Sequence, residues 1–156
     1  MSGTICLRNR QRTCRIDLRL FRRIVRQLIS QHLQPQRFEL CLHLVEAAEM
    51  TRLNEKFLRH RGSTDVIAFD YGNASEARAL HGDVFICLDE AVAQARRFRT
   101  SWQSELVRYC VHALLHLKGL DDSKPARRRK MKQEENRLLR ELSRLFDLRR
   151  LGRLAI

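Results

Sequence analysis

The sequence lacks the patterns that define several protein classes. Its 156 residues include no CxxC pair, and its five cysteines are widely spaced: Cys6, Cys14, Cys41, Cys87 and Cys110. An odd number of scattered cysteines argues against a disulfide framework and against a zinc site made of thiolates. Their mainly apolar neighbours predict buried thiols in a reducing compartment, so we place the protein in the cytoplasm.

No segment of the sequence is suited to a membrane. None approaches the roughly 20 consecutive apolar residues that a spanning helix needs. The N-terminus does not match a secretory signal, because its apolar stretch runs only from Ile5 to Leu7 and arginines follow at once. There is also no internal repeat, low-complexity tract or linker. We therefore expect a single domain over residues 1–156, a length sufficient for one hydrophobic core.

Acidic residues are the minority among the charged ones. Lys and Arg total 31 against 18 Asp and Glu, which gives a formal net charge of +13. Arginine greatly outnumbers lysine, and its guanidinium group forms paired hydrogen bonds with phosphate. The composition therefore favours a polyanionic partner, with RNA or DNA ahead of an anionic membrane. The alternative is a basic surface that serves only solubility.

Hydrophobic periodicity predicts both strands and helices. A first strand is expected at residues 5–8, and the chain is expected to leave it through residues 14–16. Further strands are expected at residues 38–44, 65–69 and 81–87. Helices are expected at residues 18–30, 47–57 and 88–98, from 101 through two histidines, and from 127 to 146. Asp17 is a candidate cap for the first helix, and Thr100 or Ser101 for the fourth. Residues 70–80 are predicted to form a surface loop.

The fourth predicted helix carries a candidate metal site. His112 and His116 are four residues apart, so both imidazoles project from one face of the helix. Gly119 then allows the chain to leave the helix and return Asp122 as a third ligand. Three protein ligands leave a coordination position for water, which is typical of catalytic sites. The helix is apolar around most of its circumference, which predicts a central position in the fold.

The spacing of the whole run is more informative than the histidine pair. Chance produces an HxxxH pair in about one such chain in five, but the full pattern with glycine and a third ligand in about one in a thousand. Two alternatives stay open, because Asp121 is also suitably placed to be the third ligand and because the site could have lost its metal. Position 113 is Ala, so the catalytic Glu of HExxH zinc proteases is missing.

Four segments resemble the YbeY family of metal-dependent endoribonucleases, which act in bacterial ribosomal RNA maturation. The run from Val111 to Asp122 is similar to the family's histidine motif. The segments 63–69 and 82–87 resemble its TDVLSF and GDIxIC strands, and Met131 with Glu135 resembles the start of its last helix. The segments keep the family's order and spacing, and the similarity covers about residues 38 to 146.

The resemblance implies a fold and a metal site. The implied fold is α+β, a small mixed β-sheet packed against helices with the metal-binding helix near the centre. His112 and His116 carry over as ligands of one divalent metal ion, for which we expect zinc. The family usually has His where this chain has Asp122, which is a competent ligand but makes the metal a weaker Lewis acid.

The resemblance also implies a catalytic arginine. The family places it six residues before the Thr of its TDV strand, where this chain has Leu58, so we assign the role to the adjacent Arg59. Arg59 could equally be a solvated loop residue. For substrate binding we assign residues that lie near the predicted site: Arg61, Arg127, Arg128 and Arg129.

The sequence thus predicts a hydrolase that cleaves single-stranded RNA during ribosomal RNA processing. Its expected partners are precursors of ribosomal RNA and ribosomal particles or proteins, with no membrane partner. One alternative is a non-catalytic RNA- or ribosome-binding protein with a degenerate or structural metal site. A metalloprotease is a weaker alternative because of Ala113 and the basic surface.

Overall fold

The computed structural model of the protein describes residues 1–72 and 79–155. The strands are β1 (Ser2–Asn9), β2 (Cys14–Ile16), β3 (Arg37–Val45), β4 (Val66–Asp70), β5 (Ala79–Cys87) and β6 (Gly152–Leu154). The α-helices are α1 (Leu18–Gln27), α2 (Ala47–Leu53), α3 (Leu88–Phe98), α4 (Trp102–Leu117) and α5 (Pro125–Leu145). Two π-helical turns, Leu28–Leu33 and Asn54–Leu58, extend α1 and α2, and a 3₁₀ turn spans Leu148–Leu151.

A four-stranded mixed sheet organises the fold. Its strand order is β1-β3-β5-β4, with β1, β3 and β5 parallel and β4 antiparallel to β5. Side chains alternate between the two faces of a strand, and along β3 Phe38, Leu40, Leu42 and Leu44 are buried. This arrangement confirms the predicted α+β class with a small mixed sheet packed on helices.

Helix α4 lies in the centre of the fold, as predicted. Ten of its 16 residues are buried, and it contacts α3, α5, β4 and β5. A Cβ atom at Gly82 of β5 would overlap the carbonyl oxygen of Phe69 and press against Leu117 of α4. Glycine at this position therefore permits the helix and two strands to approach closely. The central helix gives His112 and His116 a rigid support.

Helix α2 covers part of the opposite face of the sheet. Its Met50 is fully buried and packs with Val45, Ile67 and Cys87, one residue from each of three neighbouring strands. The predicted helix over 47–57 is divided, because the α-helix ends at Leu53 and a π-helical turn continues to Leu58. Hydrophobic periodicity could not separate these two hydrogen-bonding patterns.

The structure corrects several predicted boundaries. Residues 14–16 form β2, which pairs with β6 rather than continuing the first strand. The predicted helix over 18–30 is α-helical only to Gln27. The predicted loop over 70–80 is wrong at Asp70, the last residue of β4, and at Ala79 and Leu80, which belong to β5. Residues 73–78 of that loop lie outside the described residues. The three-residue β6 was missed because its pairing with β2 is a long-range contact.

All five cysteines are free thiols. Cys14, Cys87 and Cys110 are buried as predicted, whereas Cys6 and Cys41 are half-buried. Burial raises the pKa of the Cys110 thiol to about 12, so this group stays protonated and unreactive. In residues 1–72 and 79–155, no helix combines the length and the apolar character that crossing a membrane requires.

The N-cap of α4 gives a testable prediction about stability. Ser101 Oγ accepts a hydrogen bond from Ser104 N at 3.1 Å, whereas the Thr100 hydroxyl donates to the carboxylate of Glu105. We therefore expect Ser101→Ala to lower the free energy of unfolding by about 1 kcal/mol, since a backbone donor loses its cap. Urea denaturation of this variant beside Thr100→Ala measures the difference. A larger loss in Thr100→Ala would contradict the assignment.

Candidate functional site

His112, His116 and Asp122 line one pocket of about 220 Å³, which we call the histidine pocket. The remaining wall consists of Leu58, Val66, Ile67, Ala68 and Ala113. His112 Nε2 lies 3.9 Å from Asp122 Oδ2. Two ligands of one tetrahedral ion are separated by about 3.4 Å when each bond is about 2.1 Å long, so a small side-chain adjustment suffices. The structure thus brings together the three residues that the sequence selected.

The glycine turn after α4 has the predicted form. Gly119 has a φ of 113°, which side chains other than glycine rarely adopt. Leu120 N donates to Leu115 O and Gly119 N to His116 O, the paired hydrogen bonds of a Schellman motif. The motif ends the helix and directs the chain back toward the histidines. Local backbone chemistry therefore places Asp122 at the pocket.

Glu135 of α5 orients His112. Its Oε2 atom lies 2.7 Å from His112 Nδ1, and the residue is only 6% exposed. A carboxylate in this position accepts the proton of Nδ1, which leaves the Nε2 lone pair directed toward Asp122. This hydrogen bond raises the pKa of His112, against the opposing effect of burial. Metal-binding histidines commonly have such a carboxylate partner.

Sequence reasoning matched Glu135 to the family motif but gave it no role. The available signal was its position, because it interrupts the buried apolar stripe of α5 formed by Met131, Leu138 and Leu142. A buried carboxylate needs a partner. Arg108, one turn before His112 on α4, provides a second one with Nη1 3.7 Å from Glu135 Oε1.

The hydrogen bonds of Asp121 distinguish it from Asp122. Asp121 Oδ1 accepts from the backbone and hydroxyl of Ser123, and Oδ2 accepts from Arg127 Nη1 at 2.8 Å. These contacts, that of the Ser123 hydroxyl first, lower the pKa of Asp121. Asp121 is thereby held away from the pocket, whereas Asp122 lines it. The geometry favours Asp122 where the sequence left both residues open.

The arginines selected from the sequence do not line the histidine pocket. Arg59 ends a π-helical turn with a φ of 57° and is exposed, while its neighbour Leu58 contributes to the wall. Arg61 is also exposed. Arg127 is engaged with Asp121, and exposed side chains follow it at Arg128 and Arg129 on the first turns of α5. None of these arginines belongs to the pocket wall.

Asp65 has a local anchoring role. Its Oδ1 accepts a hydrogen bond from Val66 N at 2.7 Å and so fixes the start of β4. His81 is exposed on β5 and points away from α4, since Gly82 occupies the helix side of the strand. It is an ordinary surface histidine of the other sheet face.

A second group of potential ligands lies on the sheet face opposite α4. Cys41, His43 and Asp83 offer ligand atoms within 4.8 Å of one another and could hold a metal ion. His43 Nε2 is 2.8 Å from Asp83 Oδ1, and Nδ1 is 3.0 Å from Arg10 Nη1. Sequence reasoning missed this group because it joins two strands that are 40 residues apart. In the sequence, this group is signalled by the polar residues that alternate with apolar ones along β3.

Comparisons with known proteins identify relatives by sequence. The family described as Endoribonuclease YbeY matches residues 6–143. A protein of Chlorobium luteolum named Endoribonuclease YbeY is 41% identical over 93 residues, which are 60% of this chain and 66% of that protein. Its namesake in Parabacteroides distasonis is 38% identical over 91 residues, 58% of this chain and 62% of the relative. The matched segment thus spans just under two thirds of these relatives.

Structural comparison agrees on the fold. The solution structure of a Thermotoga maritima protein superposes with a TM-score of 0.65 and covers 89% of both chains, at 20% sequence identity. At this identity the likeness establishes the architecture alone. The sequence match extends over the helix with the two histidines and over Glu135, and it leaves out only the chain ends. The chain belongs to the Endoribonuclease YbeY family.

Proposed function

We propose that this chain is a metal-dependent endoribonuclease that cleaves single-stranded RNA in ribosomal RNA processing, with residues 1–156 forming one catalytic domain. One observation carries the proposal: His112, His116 and Asp122 line one pocket, and a buried carboxylate orients His112. The names of the curated relatives supply the reaction class. The histidine pocket supplies residues suited to that reaction.

The donor set of the histidine pocket fits one divalent ion, and zinc suits it best. Two imidazole nitrogens and one carboxylate oxygen form a common catalytic zinc arrangement. An ion held there would supply Lewis acidity toward a phosphoryl oxygen and make a water molecule more acidic. Glu135 keeps the proton of His112 on Nδ1, so that Nε2 is available as a ligand. Asp122 lies on the far side of the glycine turn and completes the set.

Part of the pocket wall is apolar. Val66, Ile67 and Ala68 come from β4, and Ala113 separates the two histidines on α4. A zinc protease of the HExxH type would need a carboxylate at position 113 as its base, so peptide hydrolysis is disfavoured. A phosphodiester is already anionic, and its cleavage mainly requires that negative charge be stabilised.

The exposed arginines suit an RNA backbone. Arg59 follows Leu58 of the pocket wall, Arg61 and the cluster from Arg127 to Arg129 are also exposed, and we assign Arg59 to the developing charge and the others to phosphates. A second basic depression of about 630 Å³ is lined by Arg19, Arg22, Arg23 and Arg150. A net charge of +13 would attract RNA over long distances. We extend the proposal to a cytoplasmic location and to ribosomal particles as partners.

Cleavage of a single-stranded RNA by wild type and His112→Ala, each with and without a chelator, tests the proposed function. His81→Ala is the matched control, since His81 is an exposed histidine on the other sheet face. We expect cleavage only by wild type and His81→Ala, and only without the chelator. RNA binding without any cleavage would favour the non-catalytic alternative. Cleavage by His112→Ala would reject the site.

Asp122→His gives a second prediction for the same pocket. We expect this variant to retain metal and to keep or raise the cleavage rate, because a neutral imidazole leaves the metal a stronger Lewis acid than a carboxylate does. Metal content and kcat measured side by side provide the test. Asp121→Ala is the control and should retain both. Loss of metal and activity in both variants would instead identify Asp121 as the ligand.

A further inference from the structure

A second pocket adjoins the histidine pocket and shares His112 with it. Its volume is about 410 Å³, within the range of small-molecule sites, and it lies between α3, α4 and α5. Tyr109 and Glu135 contribute to its wall beside His112. An RNA strand whose phosphate lies at the histidine pocket would therefore have its neighbouring nucleotide within reach of this second pocket.

An exposed aromatic ring lies on the rim of this pocket. Phe98, the last residue of α3, is 61% exposed and lines the pocket. The guanidinium group of Arg97 lies 5.3 Å from the centre of the same ring. An exposed aromatic ring beside a cation suits an unpaired base, because the base stacks on the ring while the cation meets its phosphate.

Tyr109 supplies an independent sign of a polar ligand. The residue is 5% exposed, and among the described residues its hydroxyl is the buried side-chain polar atom without a hydrogen-bond partner. A buried hydroxyl without a partner destabilises the folded protein. Tyr109 lines the pocket, so a small side-chain adjustment would bring this hydroxyl to a polar ligand there and remove the penalty.

Some polar groups of the pocket are already engaged within the protein, and others are available to a ligand. The carboxylates of Glu105 and Asp65 already accept hydrogen bonds from Thr100 and from Val66 N. The amide of Gln94 has no partner among the hydrogen bonds of the described residues, and Lys132 adds a positive charge. An amide both donates and accepts, as the edge of a base does. These groups of the pocket therefore match the hydrogen-bonding edge of a nucleobase and the charge of its flanking phosphate.

We propose that this pocket holds one unpaired nucleobase of the RNA substrate, stacked on Phe98 and hydrogen-bonded by Tyr109. The inference rests on the proposed function and deepens it, because it gives a structural reason for single-strand specificity. A base within a duplex would have to leave its stack and its pairing partner before it could enter, which costs free energy. An unpaired base enters without that cost.

The hydroxyl of Tyr109 permits a test with two opposed outcomes. We expect Tyr109→Phe to raise the thermal stability of the free protein, because it removes the unpaired buried hydroxyl, and yet to weaken RNA binding about three- to tenfold. A merely structural tyrosine would change stability and leave binding alone. Unchanged RNA affinity would remove Tyr109 from the proposal.

The stacking is tested with Phe98→Ala and two oligomers of equal length, a single-stranded RNA and its fully abasic ribose-phosphate counterpart. Binding is measured with a chelator present, so the result does not depend on cleavage. A separate assay with the metal restored tests the proposed function, which would be rejected if no cleavage occurred. We expect Phe98→Ala to bind the RNA about 5- to 150-fold more weakly and the abasic oligomer unchanged. Tyr71→Ala is the control, since Tyr71 is 54% exposed and its ring lies edge-to-face against His81 on the other sheet face. Equal losses on both oligomers, or none on either, would overturn the proposal.

Discussion

His116→Ala is expected to lose most of its bound metal and to cleave RNA at least about a thousandfold more slowly than wild type. Two remaining ligands rarely hold zinc tightly, and losing the Lewis acid removes several kcal/mol of transition-state stabilisation. The side chain of His116 is exposed and makes no ion pair within the described residues, so the fold should survive the substitution. Metal analysis of untagged protein and a single-turnover cleavage assay measure the two effects.

The same experiment can contradict the site. His81→Ala should keep both metal and activity, since it removes an exposed histidine that does not line the pocket. Circular dichroism establishes that both variants are folded. If His116→Ala retained a full equivalent of metal, the ion would lie elsewhere, and the group of Cys41, His43 and Asp83 would be the first place to look.

Glu135→Gln is expected to weaken metal affinity about 10- to 100-fold and to lower cleavage with it. The amide oxygen can still accept the proton of His112 Nδ1, but the negative charge that makes the imidazole a better donor is gone. Because Glu135 is only 6% exposed, water does not screen its charge, and removing that charge acts directly on His112. A competition assay with a chromophoric chelator measures the affinity.

Glu134, which precedes Glu135 on α5, offers a matched control for this prediction. Glu134 pairs with Arg137 on the exposed side of α5, and exposed ion pairs contribute little to stability. Glu134→Gln removes the same charge from the same helix without contacting His112. We expect its metal affinity to equal that of wild type. Equal losses in the two variants would show that the general charge of α5 matters, and would reject an orienting role for Glu135.

Much of the candidate site could be predicted because its information is local. His112 and His116 follow from helical spacing, and the Schellman motif at Gly119 brings Asp122 back within six residues of His116. Each of these steps depends on backbone geometry over one or two turns. The α+β class followed from the resemblance, while the strand and helix periods located most elements.

The remaining parts depend on contacts between distant segments. Glu135 reaches His112 across two packed helices, and periodicity says only that a carboxylate interrupts an apolar stripe. Likewise, β6 is defined by its register with β2, from which it is separated by most of the chain. The choice between Asp121 and Asp122 depends on which carboxylate Ser123 and Arg127 engage. The spacing of residues along the sequence does not determine such hydrogen bonds.

The most direct test of the histidine pocket is a titration of metal-free protein with zinc, in which bound metal and RNA cleavage are measured on the same samples. We expect cleavage to rise in proportion to bound zinc and to reach its maximum at one equivalent per chain. Cys41→Ser, on the other sheet face, should follow the same curve. His112→Ala should give neither tight binding nor cleavage. Full cleavage by the metal-free protein, or a curve that His112→Ala leaves unchanged, would contradict the claim that the histidine pocket is the catalytic metal site.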